Sequence, residues 1–161
     1  MTAHVDKPTP HSPALAYVLV WLTAGLYFFY WMYRMMRDVN RLSSSQVFAA
    51  RRIICVVAVY VLVYVAVFSQ LLTRVARPES AFSHFTIGLF FVGWFMALGW
   101  LCGLAYLHAK IGKSISLLQA QQGLPSRASP GLSVLLFLLY FAVVPYLQSQ
   151  MNSLLSDRKQ V

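Results

Sequence analysis

Hydrophobic positions gather into four runs, each near the length of a bilayer crossing, separated by short polar segments that carry the charge. Between Pro13 and Tyr33 no side chain is charged. Those residues, at about 1.5 Å each, reach roughly 30 Å, the thickness of a bilayer's hydrocarbon core. Ile53 to Leu72 is a second uncharged run. Its valines favour strands in water, yet only a helix satisfies a single segment's backbone in lipid. A third run extends from about Phe85 to Leu107, and a fourth starts at Leu132, with Pro145 expected to kink it or make its end irregular. The pattern predicts an all-α polytopic membrane protein: four transmembrane helices in one bundle over residues 13–156, with spans at about 13–33, 53–72, 85–107 and 132–149. The first and third helices are expected to extend beyond the bilayer. MYRMMRDVNRL holds no breaker before Ser43, and Ile111, Ile115 and Leu118 continue one apolar face toward Gly123 and Pro125.

Residues 1–12, with Pro8 and Pro10, read as a disordered polar tail, and 157–161 as a short charged one. A cleavable signal peptide is not expected, because the Ala14 to Ala16 Ala-x-Ala precedes the apolar run where it should follow.

Within the first run the polar groups are directed. At about 100° per residue, Thr23, Tyr27, Tyr30, Trp31, Arg34, Asp38 and Arg41 share a stripe roughly 80 to 100° wide. One reading is an interfacial aromatic belt with Arg34, Arg37 and Arg41 facing phosphates beyond it. The other is a packing face toward other spans or a partner, with Asp38 paired to Arg34 or Arg41.

Thr23-x-Gly25-x-Tyr27-x-x-Tyr30-Trp31-x-Tyr33-Arg34, followed by Asp38-x-Asn40 and, after the last hydrophobic segment, by Gln148-x-x-x-Asn152, resembles a family of small bacterial four-helix inner-membrane proteins of unknown function. The resemblance covers the two ends of the chain; the middle agrees by hydropathy only. Ala24 stands where the family usually has Leu or Phe. It implies an architecture and an inner-membrane location but no activity, with Gln148 and Asn152 expected to hydrogen-bond the extended first helix.

Composition agrees with the pattern: 59% of the 161 residues are hydrophobic and only 11% charged, against about 25% in soluble domains. Mean hydropathy is +0.63. The net charge of +9 resides in segments flanking apolar runs, where anionic headgroups attract it, and forms no basic groove for nucleic acid. Arg34, Arg37, Arg41, Arg51, Arg52, Lys110, Lys113 and Arg127, eight cations, fall on one side of a four-span arrangement; Lys7, Arg74, Arg77, Arg158 and Lys159, five, fall on the other. The positive-inside rule then leans toward both termini outside the cytoplasm.

Candidate chemistry is sparse. Asp6, Asp38, Glu79 and Asp157 all lie outside the runs, so none holds an acidic group at membrane depth, where proton- and ion-coupled transporters place theirs. His84 and His108 sit at run ends without a completing motif; a site built from Asp38, Asn40 and His108 is the one enzymatic arrangement left open. AKIGKSIS is not a phosphate loop, since Leu107 stands where the first glycine is needed. Cys55 and Cys102 are isolated in apolar runs, so neither metal nor cofactor is expected. Gly99-x-x-x-Gly103, with Gly88 on the same side, and Gly93 on another face make the third run the candidate for close helix packing. The expectation is a non-catalytic accessory, scaffolding or regulatory subunit that binds a partner membrane protein or anionic lipid. The alternative is a small oligomeric channel or carrier for an uncharged or lipidic solute.

Overall fold

The computed structural model describes residues 11–23, 25–43, 46–77, 83–125, 127–139 and 142–157. Six helices, α1 Pro13–Leu22, α2 Leu26–Leu42, α3 Ala50–Val75, α4 His84–Gln121, α5 Pro130–Leu138 and α6 Val143–Asp157, account for the regular structure among them, with no strand. The tails expected at 1–10 and 158–161 lie outside the described residues. Two helices, α3 and α4, are long and apolar enough to cross a membrane. At about 1.5 Å per residue they measure about 39 and 57 Å.

The first and fourth runs depart from the expected continuous rods. Helix α1 stops after ten residues and α2 starts after Gly25, whose φ of +89° lies in the left-handed region that glycine enters without cost. A continuous helix would hold His11 and Arg34 about 35 Å apart, yet Arg34 hydrogen-bonds the His11 ring. The chain therefore doubles back between Thr23 and Leu26. The fourth run repeats the device. Tyr146 reaches across to the Ser129 N–H at 2.8 Å and the Arg127 carbonyl at 3.1 Å; α5 ends at Leu138, α6 begins at Val143, and the two pack against each other. The irregularity expected at Pro145 thus lies upstream of it. Pro145 sits in the first turn of α6, where its missing N–H costs no hydrogen bond.

Two compact units emerge. The first comprises residues up to 50 and from 105 onward. Its centre is α6, against which α1 and α5 both pack. On α2, Phe28, Trp31, Met32, Met35, Met36, Val39 and Leu42 recur at three- and four-residue spacing and are all buried. Ile111 and Ile115 of α4 and Leu147, Met151 and Leu154 of α6 complete the core at zero or near-zero exposure. His108, fully buried, stacks on Phe28 at 5.5 Å and on Phe137 at 4.7 Å between ring centroids. The C-terminus of α4 closes as expected: Gly123 has φ +70°, and the Leu124 N–H returns to the Gln119 carbonyl at 2.9 Å.

The second unit, residues 51–104, holds α3 and the first half of α4 as an antiparallel pair. Tyr60 donates its hydroxyl to the Met96 carbonyl and stacks on Trp100 at 5.3 Å, while Arg74 lies over the Phe85 ring at 4.4 Å. No side chain of α3 is buried. Val56, Val59, Leu62, Val63, Val65 and Leu72, like Phe90, Phe91, Trp94, Phe95 and Leu98 on α4, are exposed.

Close approach in the first unit rests on Gly112. A Cβ there would lie 2.5 Å from the Ser133 hydroxyl and 3.4 Å from the Pro130 Cα. Gly112→Ala therefore forces Ser133 off its hydrogen bond to the Ser129 carbonyl and costs about 1–3 kcal/mol. Gly88→Ala, with open space around it, is silent. Thermal unfolding of the two variants in detergent separates them; equal melting temperatures would remove the close α4–α5 contact.

Candidate functional site

The stripe noted on the first run and the pair after the last converge in the first unit. Thr23 occupies the α1–α2 turn. Its hydroxyl donates to the Leu19 carbonyl and accepts the Tyr27 N–H, each at 2.8 Å, so one side chain ends α1 and caps the first turn of α2. Trp31, 2% exposed, donates Nε1–H to Gln148 Oε1 at 3.1 Å. Gln148 donates in turn to Asn152 Oδ1 at 3.1 Å. Asn152 donates to the His11 carbonyl at 2.6 Å and accepts the His11 N–H at 3.3 Å. Arg34 donates to His11 Nε2 and pairs with Asp38 at 3.7 Å; Arg41 approaches Asp38 at 4.0 Å.

One polar chain thus runs from Trp31 through α6 to the head of α1 and back to α2. The continuous first helix expected to meet Gln148 and Asn152 is absent: Gln148 bonds Trp31 of α2 and Asn152 bonds His11 ahead of α1, while Asp38 pairs with Arg34 and Arg41. Exposure then divides the stripe. Trp31, Asp38 and Gln148 are buried, Tyr27, Arg34 and Asn152 half-buried, and Tyr30, Arg37 and Arg41 exposed. Tyr30 leans on Tyr27 at 5.6 Å, and Arg37 lies over the Tyr33 ring at 6.0 Å.

The residues of the open enzymatic arrangement are each engaged elsewhere. Asn40 accepts the Val47 and Phe48 N–H groups at 3.0 and 2.8 Å and donates to the Phe48 carbonyl, pinning the segment before α3. His108 lies in its aromatic stack and Asp38 among arginines. Among the described residues no group of three His, Cys, Asp or Glu side chains is placed to hold a metal ion. Of the four glycines, Gly99 faces Tyr60, with a Cβ there 3.5 Å from its hydroxyl; Gly88, Gly93 and Gly103 have no atom that close.

Two participants were not anticipated. Gln119, 1% exposed, accepts the Arg127 and Ala128 N–H groups at 3.1 and 3.2 Å and donates to Gln150 and Ser153, fastening the α4–α5 loop to α6. Its position beside Leu118 on the face carrying Ile111 and Ile115 was the available signal. His11 lies in a stretch read as a tail, and no pattern marked it.

Electrostatics follow from burial. Desolvation, and then Arg34, hold the His11 imidazole below its ordinary value, partly opposed by Asp38. Burial lifts the Asp38 carboxyl above its ordinary value despite the guanidiniums of Arg34, Arg37 and Arg41.

No protein-family model matches the chain, and no curated protein or solved structure matches it.

Two expectations attach to this network. Gln148→Ala strands the buried Trp31 N–H and costs about 1–3 kcal/mol, read as a lowered melting temperature that Trp31→Phe in the same background partly restores; no loss in Gln148→Ala would contradict the bond. The second concerns pH. Because His11 is harder to protonate when folded, the unfolded chain takes up the proton first as pH falls below about 6.5, and stability drops. Asp38, whose folded value is raised, acts oppositely: its share of stability is present below its ordinary 3.8 and lost as pH rises through the folded value. The clean readout is therefore a difference. His11→Gln keeps an acceptor for Arg34 and cannot be protonated, so its melting temperature falls less than the parent's between pH 7 and 5.5. Parallel curves would show that His11 does not titrate against the fold.

Proposed function

We propose that the chain is a non-catalytic integral membrane protein of the bacterial inner membrane, an accessory or scaffolding subunit whose α2 presents a cationic, aromatic end to anionic lipid headgroups. α3 and α4 serve as full spans. Their outward apolar side chains support this, since burying such surface in lipid removes a patch far larger than soluble monomers expose. The observation that carries the headgroup reading is how α2 is divided: Trp31, Arg34 and Asp38 are engaged inside the unit, while Arg37 and Arg41 in its last two turns, with Tyr30 nearer its start, are exposed. Membership of the family that the chain resembles belongs to the same proposal. The two parts of that motif meet where Trp31 donates to Gln148, which in turn donates to Asn152.

Reconstitution into bilayers with brominated lipids tests it through tryptophan quenching. Anionic brominated lipid quenches more strongly than zwitterionic at equal content, and Arg37→Gln with Arg41→Gln weakens that preference by about 1 kcal/mol per charge. An unchanged preference contradicts the headgroup reading. A protein that co-purifies in mild detergent and is lost in Tyr30→Ala, with lipid preference intact, would replace it by partner docking. Trp31→Ala does not serve this purpose, because its indole is buried. The open surroundings of Gly88, Gly93 and Gly103 favour the oligomeric channel or carrier as second reading; a monomeric mass in native-like lipid removes it.

A further inference from the structure

Hydropathy counts four crossings, but two of the four runs double back within the first unit, and this changes which side of a membrane the chain's ends occupy. Helices α1 and α5 are ten and nine residues long, about 15 Å each, half of a 30 Å hydrocarbon core. Apolar segments of that length enter and leave by one face more readily than they cross. Their turns expose large apolar side chains: Leu22 is 76% exposed, Leu26 73%, Leu138 60% and Leu139 58%. The opposite, open ends carry polar groups, with His11, Arg34 and Asn152 at one hairpin and Arg127 and Ser129, reached by the Tyr146 hydroxyl from the start of α6, at the other. Each hairpin is thus oily at its tip and wet at its mouth.

We propose that α1–α2 and α5–α6 are two re-entrant hairpins whose tips dip into the acyl region of one leaflet and return to the side they came from. The inference rests on the membrane reading above, with α3 and α4 as the two complete crossings. The charge distribution supports it independently. If α1–α2 and α5–α6 both return, Lys7, Arg158 and Lys159 join the eight cations of the first and third loops, giving eleven on one face against Arg74 and Arg77 on the other. Four full spans give eight against five. Eleven against two is the asymmetry that the positive-inside rule rewards, and it places both termini in the cytoplasm, reversing the orientation that four spans imply. The same face attracts anionic headgroups, which lie where the mouths of the hairpins emerge.

Single cysteines in a background lacking Cys55 and Cys102, probed in intact bacterial cells with a membrane-impermeant thiol reagent and again after permeabilisation, test the arrangement. Arg77→Cys labels in intact cells. Ser12→Cys, Gln46→Cys and Ser156→Cys label only after permeabilisation, all three alike. Leu22→Cys and Leu138→Cys stay protected in both conditions and become reactive once detergent dissolves the membrane. Ser12 and Gln46 labelling from opposite sides would overturn the hairpins in favour of continuous spans. Tips that react as fast as Ser12 would place them in water and overturn the insertion. Arg77 and Gln46 on one side would instead overturn the crossings by α3 and α4, and extraction by alkaline carbonate would overturn the membrane reading itself. Ser12→Cys loses the hydroxyl that caps α1, so the bilayer quenching depth of Trp21, near one tip, provides a check in a chain that keeps Ser12 and carries Trp94→Phe and Trp100→Phe, with Trp31 buried. A shallow position at the headgroup level contradicts insertion.

Discussion

Gln148 and Asn152 stand one turn apart on the central helix of their unit, and through them the head of α1, the middle of α2 and α6 share one set of hydrogen bonds. The Trp31 indole and the Gln148 amide are both buried, and each is satisfied by the other or by its neighbour, so removing any member leaves a desolvated polar group behind. That asymmetry explains why a short apolar helix such as α1 holds its place. It packs on α6 and α2, and the carbonyl and N–H of His11 are clamped by a single asparagine. Reversal near Gly25 is what lets His11 meet both Asn152 and Arg34.

From this constraint the distribution of polarity follows. Once α1 lies back on α6 and α2, the aromatic stripe cannot serve as one continuous belt: Trp31 turns inward to meet Gln148, whereas Tyr30 turns outward. Asp38 is drawn under its arginines, raising the carboxyl through burial and leaving the guanidiniums of Arg37 and Arg41 as the outward charges. The result is a unit with a core like that of a soluble helical bundle at α2, α4 and α6, and an apolar exterior at α1 and α5.

Much of this was legible in the residues, and the failures have definite causes. The run from Ile53 to Leu72, the long helix reaching toward Gly123, and the Arg34–Asp38–Arg41 pairing follow from hydropathy, glycine chemistry and helical spacing. The turn at Gly25 was visible only as part of a motif, because one glycine in an apolar run is ordinary in membrane helices and says nothing about reversal. The break after Leu139 carries neither glycine nor proline among its described residues, and what accompanies it is a tertiary contact, from Tyr146 to the α5 start, that sequence spacing does not reveal. Pro145 drew attention to the wrong place, since a proline in a first turn breaks nothing. Gln119 hid among isoleucines and leucines on a face that reads as simple core.

The reversal itself is the point on which the fold and both functional readings stand, and a single distance decides it. Spin labels placed at Ser12 and Arg37, both exposed, lie about 38 Å apart if residues 13–42 form one rod. With α1 folded onto α2 they fall within about two helix diameters, roughly 20 Å. Pulsed dipolar spectroscopy of the protein in bilayers distinguishes the two directly: a single short distance supports the hairpin and the polar closure that holds it, and a distribution centred near 38 Å contradicts both.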